Sequence, residues 1–344
     1  MANPDVGDGW SGRQVLVTGA GGFIGSHVVE DLLRAGARVR ALLRYSSRGD
    51  HGALRWSRSW SRSWSRNGVR TDAELVVGDL RDAESVAGAV TGCDTVLHLG
   101  AQVSVPYSYL NVRDFFETNT MGTLNVALAA CREGVRRLVL VSSSEVYGSA
   151  RFTPISEDHP LQAQSPYAAS KIAAEQVVLS LLRSCDLAAT IVRPFNTYGP
   201  RQTARAVVPV ILSQAVVGSS VRLGSLWPRR DLTYVEDTVA GLLALALAPA
   251  AAGEIVNLGT GHDVSIGELV ELVAAVLGRD LDVQVDDERI RPPGSEVSRL
   301  QCDAGKAAAL VGWSAEVALA EGLRRTAEWV GAHSDQYDRG HYLV

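Results

Sequence analysis

Short, continuous runs of aliphatic and β-branched residues recur along the first two hundred positions: Gln14–Thr18, Val39–Leu43, Glu74–Val77, Thr95–Leu99, Arg137–Val141 and Ala189–Val192. They do not alternate with polar residues. Uninterrupted runs of this length are how strands covered on both faces of a parallel sheet read. Between them lie amphipathic patterns of helical period, over Ile24–Ala35, Asp114–Arg132 and Pro166–Cys185. Strand and helix in alternation predict an α/β fold with a doubly wound parallel sheet. After Pro200 the texture changes. Helical segments at Ala206–Val217, Glu236–Ala248, Ile266–Leu277 and Ala318–His333 are joined by short extended pieces. This predicts a smaller C-terminal α/β region on the carboxyl edge of the sheet, where ligands of such folds bind.

Composition narrows the function classes. Of 344 residues, 46% are apolar and 21% charged, which supplies a core, and the net charge of −5 gives no reason to expect nucleic acid or an anionic membrane as partner. The first ten residues lack the basic and apolar regions of a signal peptide. The longest apolar run, Val239–Ala252, is too short to span a bilayer. A soluble, cytoplasmic protein is expected, with Cys93, Cys131, Cys185 and Cys302 as reduced thiols and no metal site, since neither cysteines nor histidines fall at ligand spacing. Residues Arg55–Arg66 form a Trp-Ser-Arg-Ser repeat that places Trp56, Trp60 and Trp64 four apart. It reads as an expansion in a surface loop, or as a basic aromatic flap over a ligand or a subunit contact.

The first run, Val15–Thr18, leads into Gly19-Ala-Gly-Gly22-Phe23-Ile24-Gly25, which opens a helix. Glycines between a first strand and a first helix let backbone N–H groups approach a pyrophosphate and let helix pack on strand. The fold is therefore read as Rossmann-type, with NAD(P) as cofactor. No carboxylate follows the second strand. Arg44 stands there instead, within Arg44-Tyr-Ser-Ser-Arg48. A guanidinium suits a 2′-phosphate, so NADP is weakly favoured over NAD, the other reading of Arg44 being an ordinary surface arginine. Asp79 and Leu80 after the third strand, and Leu99 and Ala101 after the fourth, are expected along the dinucleotide.

Tyr167 and Lys171 are four apart at the start of a helical pattern and share a face. A nearby ammonium lowers a phenol's pKa, and a tyrosinate can take a proton from a sugar hydroxyl as hydride leaves. Ser143, ending the fifth strand, could hydrogen-bond the same hydroxyl.

Here the sequence resembles the extended short-chain dehydrogenases, the epimerase and dehydratase family of nucleotide sugars. The likeness rests on Thr18-Gly-Ala-Gly-Gly-Phe-Ile-Gly25, Ser142-Ser-Ser-Glu-Val-Tyr-Gly148, Tyr167-Ala-Ala-Ser-Lys171, Arg193-Pro-Phe-Asn-Thr-Tyr-Gly-Pro-Arg201 and Arg230-Asp-Leu-Thr-Tyr-Val-Glu-Asp237, in the family's order, and covers roughly Arg13 to Trp329. It implies a catalytic Ser143, Tyr167 and Lys171, the last two also touching the cofactor. It implies substrate contacts from Asn196, Arg230 and Arg291, with Arg201 and Arg205 also facing the substrate. Residues 1–200 become mainly the dinucleotide-binding domain and 201–344 mainly the region for a nucleotide-diphosphate sugar. Homodimers built from Asp114–Arg132 and Pro166–Arg183 are the family expectation.

Glu145 discriminates between reactions. The resemblance gives a glutamate at this place to 4,6-dehydratases and sugar-acid decarboxylases, and a non-acidic residue to 4-epimerases. Once C4 is a ketone the C5 proton is acidic, and a carboxylate can remove it. Glucose dehydratases of the family place Asp before this glutamate, whereas Ser144 stands here, a poor general acid. The Ser-Glu form is similar to that of GDP-mannose dehydratases and UDP-glucuronate decarboxylases. The stretches Pro106-Tyr-Ser-Tyr109 and Gly199–Pro209 most resemble bacterial dehydratases of amino-sugar pathways. The expected activity is a nucleotide-sugar 4,6-dehydratase acting on a UDP-GlcNAc-type substrate. A 4-epimerase, a UDP-glucuronate decarboxylase and a non-catalytic NAD(P) sensor are the alternatives.

Overall fold

The computed structural model describes residues 9–46, 51–56, 73–292 and 294–337. Strand β1 (Gln14–Thr18) feeds helix α1 (Phe23–Arg34), then come β2 (Arg38–Leu43), β3 (Ala73–Val77), α2 (Ala83–Val90) and β4 (Thr95–His98). Two short helices, α3 (Val105–Leu110) and α4 (Val112–Phe115), lead through a π-helical turn at Phe116–Met121 into α5 (Gly122–Glu133). The chain continues through β5 (Arg137–Val141), α6 (Pro166–Ser184), β6 (Ala189–Pro194), β7 (Asn196–Tyr198), α7 (Val207–Ala215), β8 (Ser220–Leu223) and β9 (Arg229–Tyr234). It ends with α8 (Val235–Leu247), β10 (Ile255–Leu258), β11 (Asp263–Ser265), α9 (Ile266–Leu277), β12 (Asp282–Val285), β13 (Arg299–Leu300), α10 (Gly305–Val311) and α11 (Leu319–Ala332).

The main sheet runs β10-β6-β5-β4-β1-β2-β3, and all its pairings are parallel. Its inner strands β1, β4, β5 and β6 are buried on both faces, while the edge strand β3 is partly exposed. Val15 and Val17 pack into the core layer that holds α1 and α8, while Leu16 between them packs into the layer formed with α2, α5 and α6. This is the doubly wound Rossmann-type α/β fold, and it explains why the strand runs carry no polar alternation. The chain builds outward from β1 to β3, then returns to place β4 on the other side of β1. The carboxyl ends of β1 and β4 therefore border the crevice where strand order reverses, which is where such sheets bind ligands. Thr18 and His98 end these two strands and are joined Oγ1 to Nδ1 at 2.7 Å.

Three details differ from expectation. The helix over Asp114–Arg132 starts at Val112 and loosens into a π turn. The Thr123 hydroxyl takes the Asn119 carbonyl at 2.5 Å, and the Asn119 side chain leaves for the Gln102 backbone and Ser170. Side chains that compete for backbone groups in this way disturb a helix. Second, the chain crosses back over the boundary expected at residue 200: β10 completes the main sheet beside β6, and α8 packs against it. The smaller sheet, β11-β9-β13 with β7 on β9, and the β8–β12 pair lie beyond. Third, Cys131 and Cys185 form a disulfide with Cα atoms 6.0 Å apart, correcting the expectation of four reduced thiols, while Cys93 and Cys302 are buried and free. The spacing of 54 residues in sequence hid a pair brought together because α5 and α6 lie side by side on one face of the sheet. No described helix is long and apolar enough to cross a membrane.

Candidate active site

A continuous cleft of about 880 Å³ follows the carboxyl edge of the sheet and runs under the C-terminal region. At one end it is lined by Gly19, Gly22, Phe23, Ile24 and Gly25. Gly19 has φ +68°, and a Cβ there would lie 2.7 Å from the Gly100 nitrogen, so only glycine fits between these strand ends. At Gly25 a Cβ would stand 2.2 Å from the Gly19 carbonyl oxygen, which fixes how closely α1 packs on the turn. The N-cap of α1 is Gly22, and no side chain caps the first turn. The N–H groups there are left for an anion, and the helix dipole adds to their pull. The geometry fits a dinucleotide's pyrophosphate.

Arg44 lines the cleft from the end of β2 and is exposed. Leu80, Leu99 and Ala101 line the wall. Asp79 lines it too, but its carboxylate is held by Arg81, with Nη2 donating at 2.6 Å and Nε at 2.9 Å. These bonds hold its pKa down near about 2. Ser47 and Arg48, and Trp60 and Trp64 of the repeat, lie outside the described residues.

Mid-cleft, β5 delivers Ser143 to the N-cap of a 3-10 turn over Ser144–Tyr147, and its hydroxyl accepts the Glu145 N–H at 3.2 Å. The turn brings Ser144 and Glu145 into the cleft beside Ser143. Helix α6 opens at Ser165, whose hydroxyl accepts the Ala168 N–H at 3.1 Å, with Pro166 in its first turn. That start sets Tyr167 and Lys171 one turn apart, both facing the cleft and both buried. Lys171 Nζ donates to the Val141 carbonyl at 2.7 Å. Burial lowers its pKa to about 8, against the pull of Glu175. The Tyr167 phenol is pushed up to about 12 by burial and by the charge of Glu145, while a hydrogen bond with Ser143 works downward. The expected lowering of the phenol by Lys171 is thus absent in the protein alone, where the ammonium is bonded to the strand and burial dominates the phenol. His98, buried between Thr18 and Thr123, is held neutral with a pKa near about 3.

Beneath the C-terminal region the cleft meets Asn196, Arg205, Arg230 and Arg291. The Asn196 Oδ1 and Arg291 Nη1 atoms are buried without a hydrogen-bond partner, as befits groups that await a ligand. Arg230 is buried and anchored by donation to the Val297 carbonyl at 2.8 Å and to Glu296 at 3.1 Å. Glu296 also lies 3.6 Å from Arg291, between the two guanidiniums. Arg205 is exposed at the rim. Arg201 is not brought to the cleft. It sits at φ +72°, turns under the sheet edge and pairs with Glu30 of α1 at 2.5 Å, both side chains buried. The expectation that it faces a substrate is corrected: a buried carboxylate claims it first.

Several lining residues were not anticipated. Gln102 follows β4, just past the His98–Ala101 stretch expected along the dinucleotide. His51 and Gly52 reach the cleft from beyond Arg44, and Ala206, Val207, Leu223 and Pro228 form an apolar slot at the far end. These carry no chemistry that a sequence can flag.

The profile of the family described as GDP-mannose 4,6 dehydratase matches residues 16–326. The UDP-glucose 4-epimerase of Mycolicibacterium smegmatis is 35% identical over 325 residues, 92% of this chain and 98% of that one. The dTDP-glucose 4,6-dehydratase of Streptomyces griseus is 32% identical over 329 residues, covering 94% and 96%. The crystal structure of a dTDP-glucose 4,6-dehydratase double mutant from Streptomyces venezuelae, with NAD bound, superimposes with a TM-score of 0.83 at 31% identity, covering 94% of this chain and 98% of that one.

Proposed function

Within the extended short-chain dehydrogenase family of nucleotide-sugar dehydratases and epimerases, to which this chain belongs, we propose that it is a 4,6-dehydratase. The observation that carries the reading is Glu145, which enters the cleft on the same turn as Ser143 and lies close enough to Tyr167 to act on its proton affinity. A bound oxidised nicotinamide dinucleotide supplies a hydride acceptor that later returns the hydride, and a positive ring. The chain's own groups do the rest. Tyr167, hydrogen-bonded by Ser143 and backed by Lys171, takes the proton of the C4 hydroxyl. Glu145 then takes the acidified C5 proton and passes it to the hydroxyl that leaves C6 as water, and once hydride has added at C6 the proton first taken from the C4 hydroxyl, relayed from Tyr167, restores C5. The Ser144 hydroxyl is too weak an acid to protonate the leaving group, so Glu145 serves as both base and acid. Arg230 and Arg291 hold the diphosphate, Asn196 contacts the substrate, and the substrate is of UDP-GlcNAc type.

NADP is accepted as well as NAD. Arg44 in the cleft and the missing carboxylate after β2 support this. An Arg44→Glu variant should lose NADP affinity and keep NAD affinity in calorimetric titration. The protein works as a homodimer in the cytoplasm. Exposed Leu110, Val112, Phe116 and Met121 on the α3–α5 face support the second copy.

The second reading, a 4-epimerase, draws on Ser144 in place of an acid and on the mycobacterial relative. The deciding experiment is mass spectrometry of UDP-, dTDP- and GDP-sugars incubated with enzyme and cofactor. A dehydratase removes one water from one substrate, and Glu145→Gln abolishes that loss. An epimerase changes no mass, and the same variant stays active.

A further inference from the structure

We infer that Trp56 is a positioning residue for the dinucleotide: its packing on the C-terminal helix holds the His51–Ala53 backbone against the glycine turn and keeps the cofactor bound between turnovers. The inference rests on the cleft being a dinucleotide site, not on which sugar reaction follows.

After β2 the chain leaves the sheet and comes back over the glycine turn. The Ala53 N–H donates to the Gly21 carbonyl at 2.8 Å. Gly52, at φ +61°, comes so close that a Cβ would stand 2.2 Å from that same oxygen. His51 and Gly52 thereby wall the cleft beside Gly21. A 3-10 turn of five residues, Gly52–Trp56, has little stability of its own. Leu54 anchors it in the core, and Trp56 fixes its far end. The Trp56 ring meets Trp329 edge-on at 5.9 Å and His333 at 6.3 Å, and those two rings stack on each other at 3.7 Å. Arg55 lies over the Trp56 ring at 4.2 Å and donates to Gln336 at 3.0 Å. The Trp56 carbonyl accepts from Arg201 at 3.4 Å, which ties the same point to Glu30 on α1. Trp56 therefore links the end of α11 to the wall of the dinucleotide site, and it is not itself among the residues that line the cleft.

An enzyme that returns its hydride within one turnover has no need to exchange cofactor, so a wall that slows escape costs it nothing. Loosening the anchor should let the His51–Ala53 wall lift and speed release while leaving the groups that meet the sugar in place.

The test uses purified full-length protein and no sugar nucleotide. The dissociation rate of bound NADH or NADPH is read by fluorescence on displacement with excess oxidised cofactor. Trp56→Ala should release it about tenfold faster, the factor set by roughly 1.4 kcal/mol. Trp56→Phe should restore most of the retention, since an aromatic edge is what Trp329 meets. Trp329→Ala should match Trp56→Ala, and the double variant should release no faster than either single one. Unchanged release in folded Trp56→Ala overturns the inference, as do additive effects of the two alanine variants. If Trp56→Ala does not fold, Trp329→Ala and Trp56→Phe carry the same comparison. Failure of the wild type to bind either cofactor overturns the inference too. Normal retention with no water loss from any sugar would instead strike only the dehydratase reading.

Discussion

The Arg193–Glu175 pair is where stability and chemistry can be tested together. Arg193, near the end of β6, donates from Nε and Nη2 to the two Glu175 oxygens at 2.9 and 2.6 Å, and from Nη1 to the Tyr147 hydroxyl at 2.9 Å. The Ser142 hydroxyl also donates to Glu175. The side chains are 2% and 0% exposed. This network joins β5, α6 and β6 at residues adjoining Ser143, Lys171 and Asn196. Replacing Arg193 with Met leaves the Glu175 carboxylate buried with one hydroxyl for company. Breaking a buried pair from one side costs about 3–5 kcal/mol. Replacing both partners with apolar residues of similar volume removes the stranded charge and should cost far less than the sum of the single changes. Urea unfolding followed by tryptophan fluorescence gives the three numbers of the cycle. A loss under about 1 kcal/mol for Arg193→Met, or a double variant as unstable as the two single losses added, would refute the argument. The chemistry follows by sign. Glu175 raises the Lys171 pKa against burial. Glu175→Gln should therefore push Lys171 further below about 8, and Arg193→Met, which leaves Glu175 unneutralised, should raise it.

Three further outcomes follow from the site. In wild-type enzyme, kcat/KM should fall on the alkaline side near pH 8, where the Lys171 ammonium is lost, with no acidic limb from His98, whose pKa is near about 3; a profile flat from pH 7 to 10 would contradict the role given to Lys171. Gly25→Ala places a methyl 2.2 Å from the Gly19 carbonyl oxygen, so calorimetry should show cofactor affinity down at least about tenfold, and unchanged affinity would mean that the turn is not the pyrophosphate site. Light scattering should find a dimer that Leu110→Glu with Met121→Glu converts to monomer, and a wild-type monomer would remove the second copy from the reading.

The main sheet was legible because burial on both faces writes itself as unbroken aliphatic runs. Gln14–Thr18 and Arg137–Val141 match their predicted ends, since a buried strand stops where the apolar run stops. β10 was missed because Asn257 breaks the short apolar run Ile255–Leu258, which follows an Ala-rich helix. Its place beside β6 is set by tertiary pairing, which no local pattern carries. The cleft residues brought by the glycine turn, by the 3-10 turn after β5 and by the start of α6 were readable because there the chemistry is local. Each sits at the junction of a strand or cap with a recognisable spacing.

Arg201 and Trp56 show where that reasoning stops. Arg201 ends a motif whose other members line the cleft, and an arginine near a diphosphate site invites the obvious role. Its destination is decided by Glu30, 171 positions away in sequence, on the helix that the glycine turn opens. Glu30 pairs with Arg34 one turn along its own helix and with Arg201 through its other oxygen, and a guanidinium buried as Arg201 is would be stranded without that carboxylate, whatever motif it belongs to. Its carbonyl neighbour Trp56 was one of three identical-looking tryptophans in a repeat, with nothing local to set it apart from Trp60 or Trp64. What distinguishes it is Trp329 and His333 on the last helix, which meet it only once α11 has folded back beside α7 and α9. Both residues draw their roles from a partner far away in sequence. The C-terminal region thus reaches the glycine-turn end of the cleft, through Trp329 and His333 against Trp56, as well as the end lined by Arg230 and Arg291.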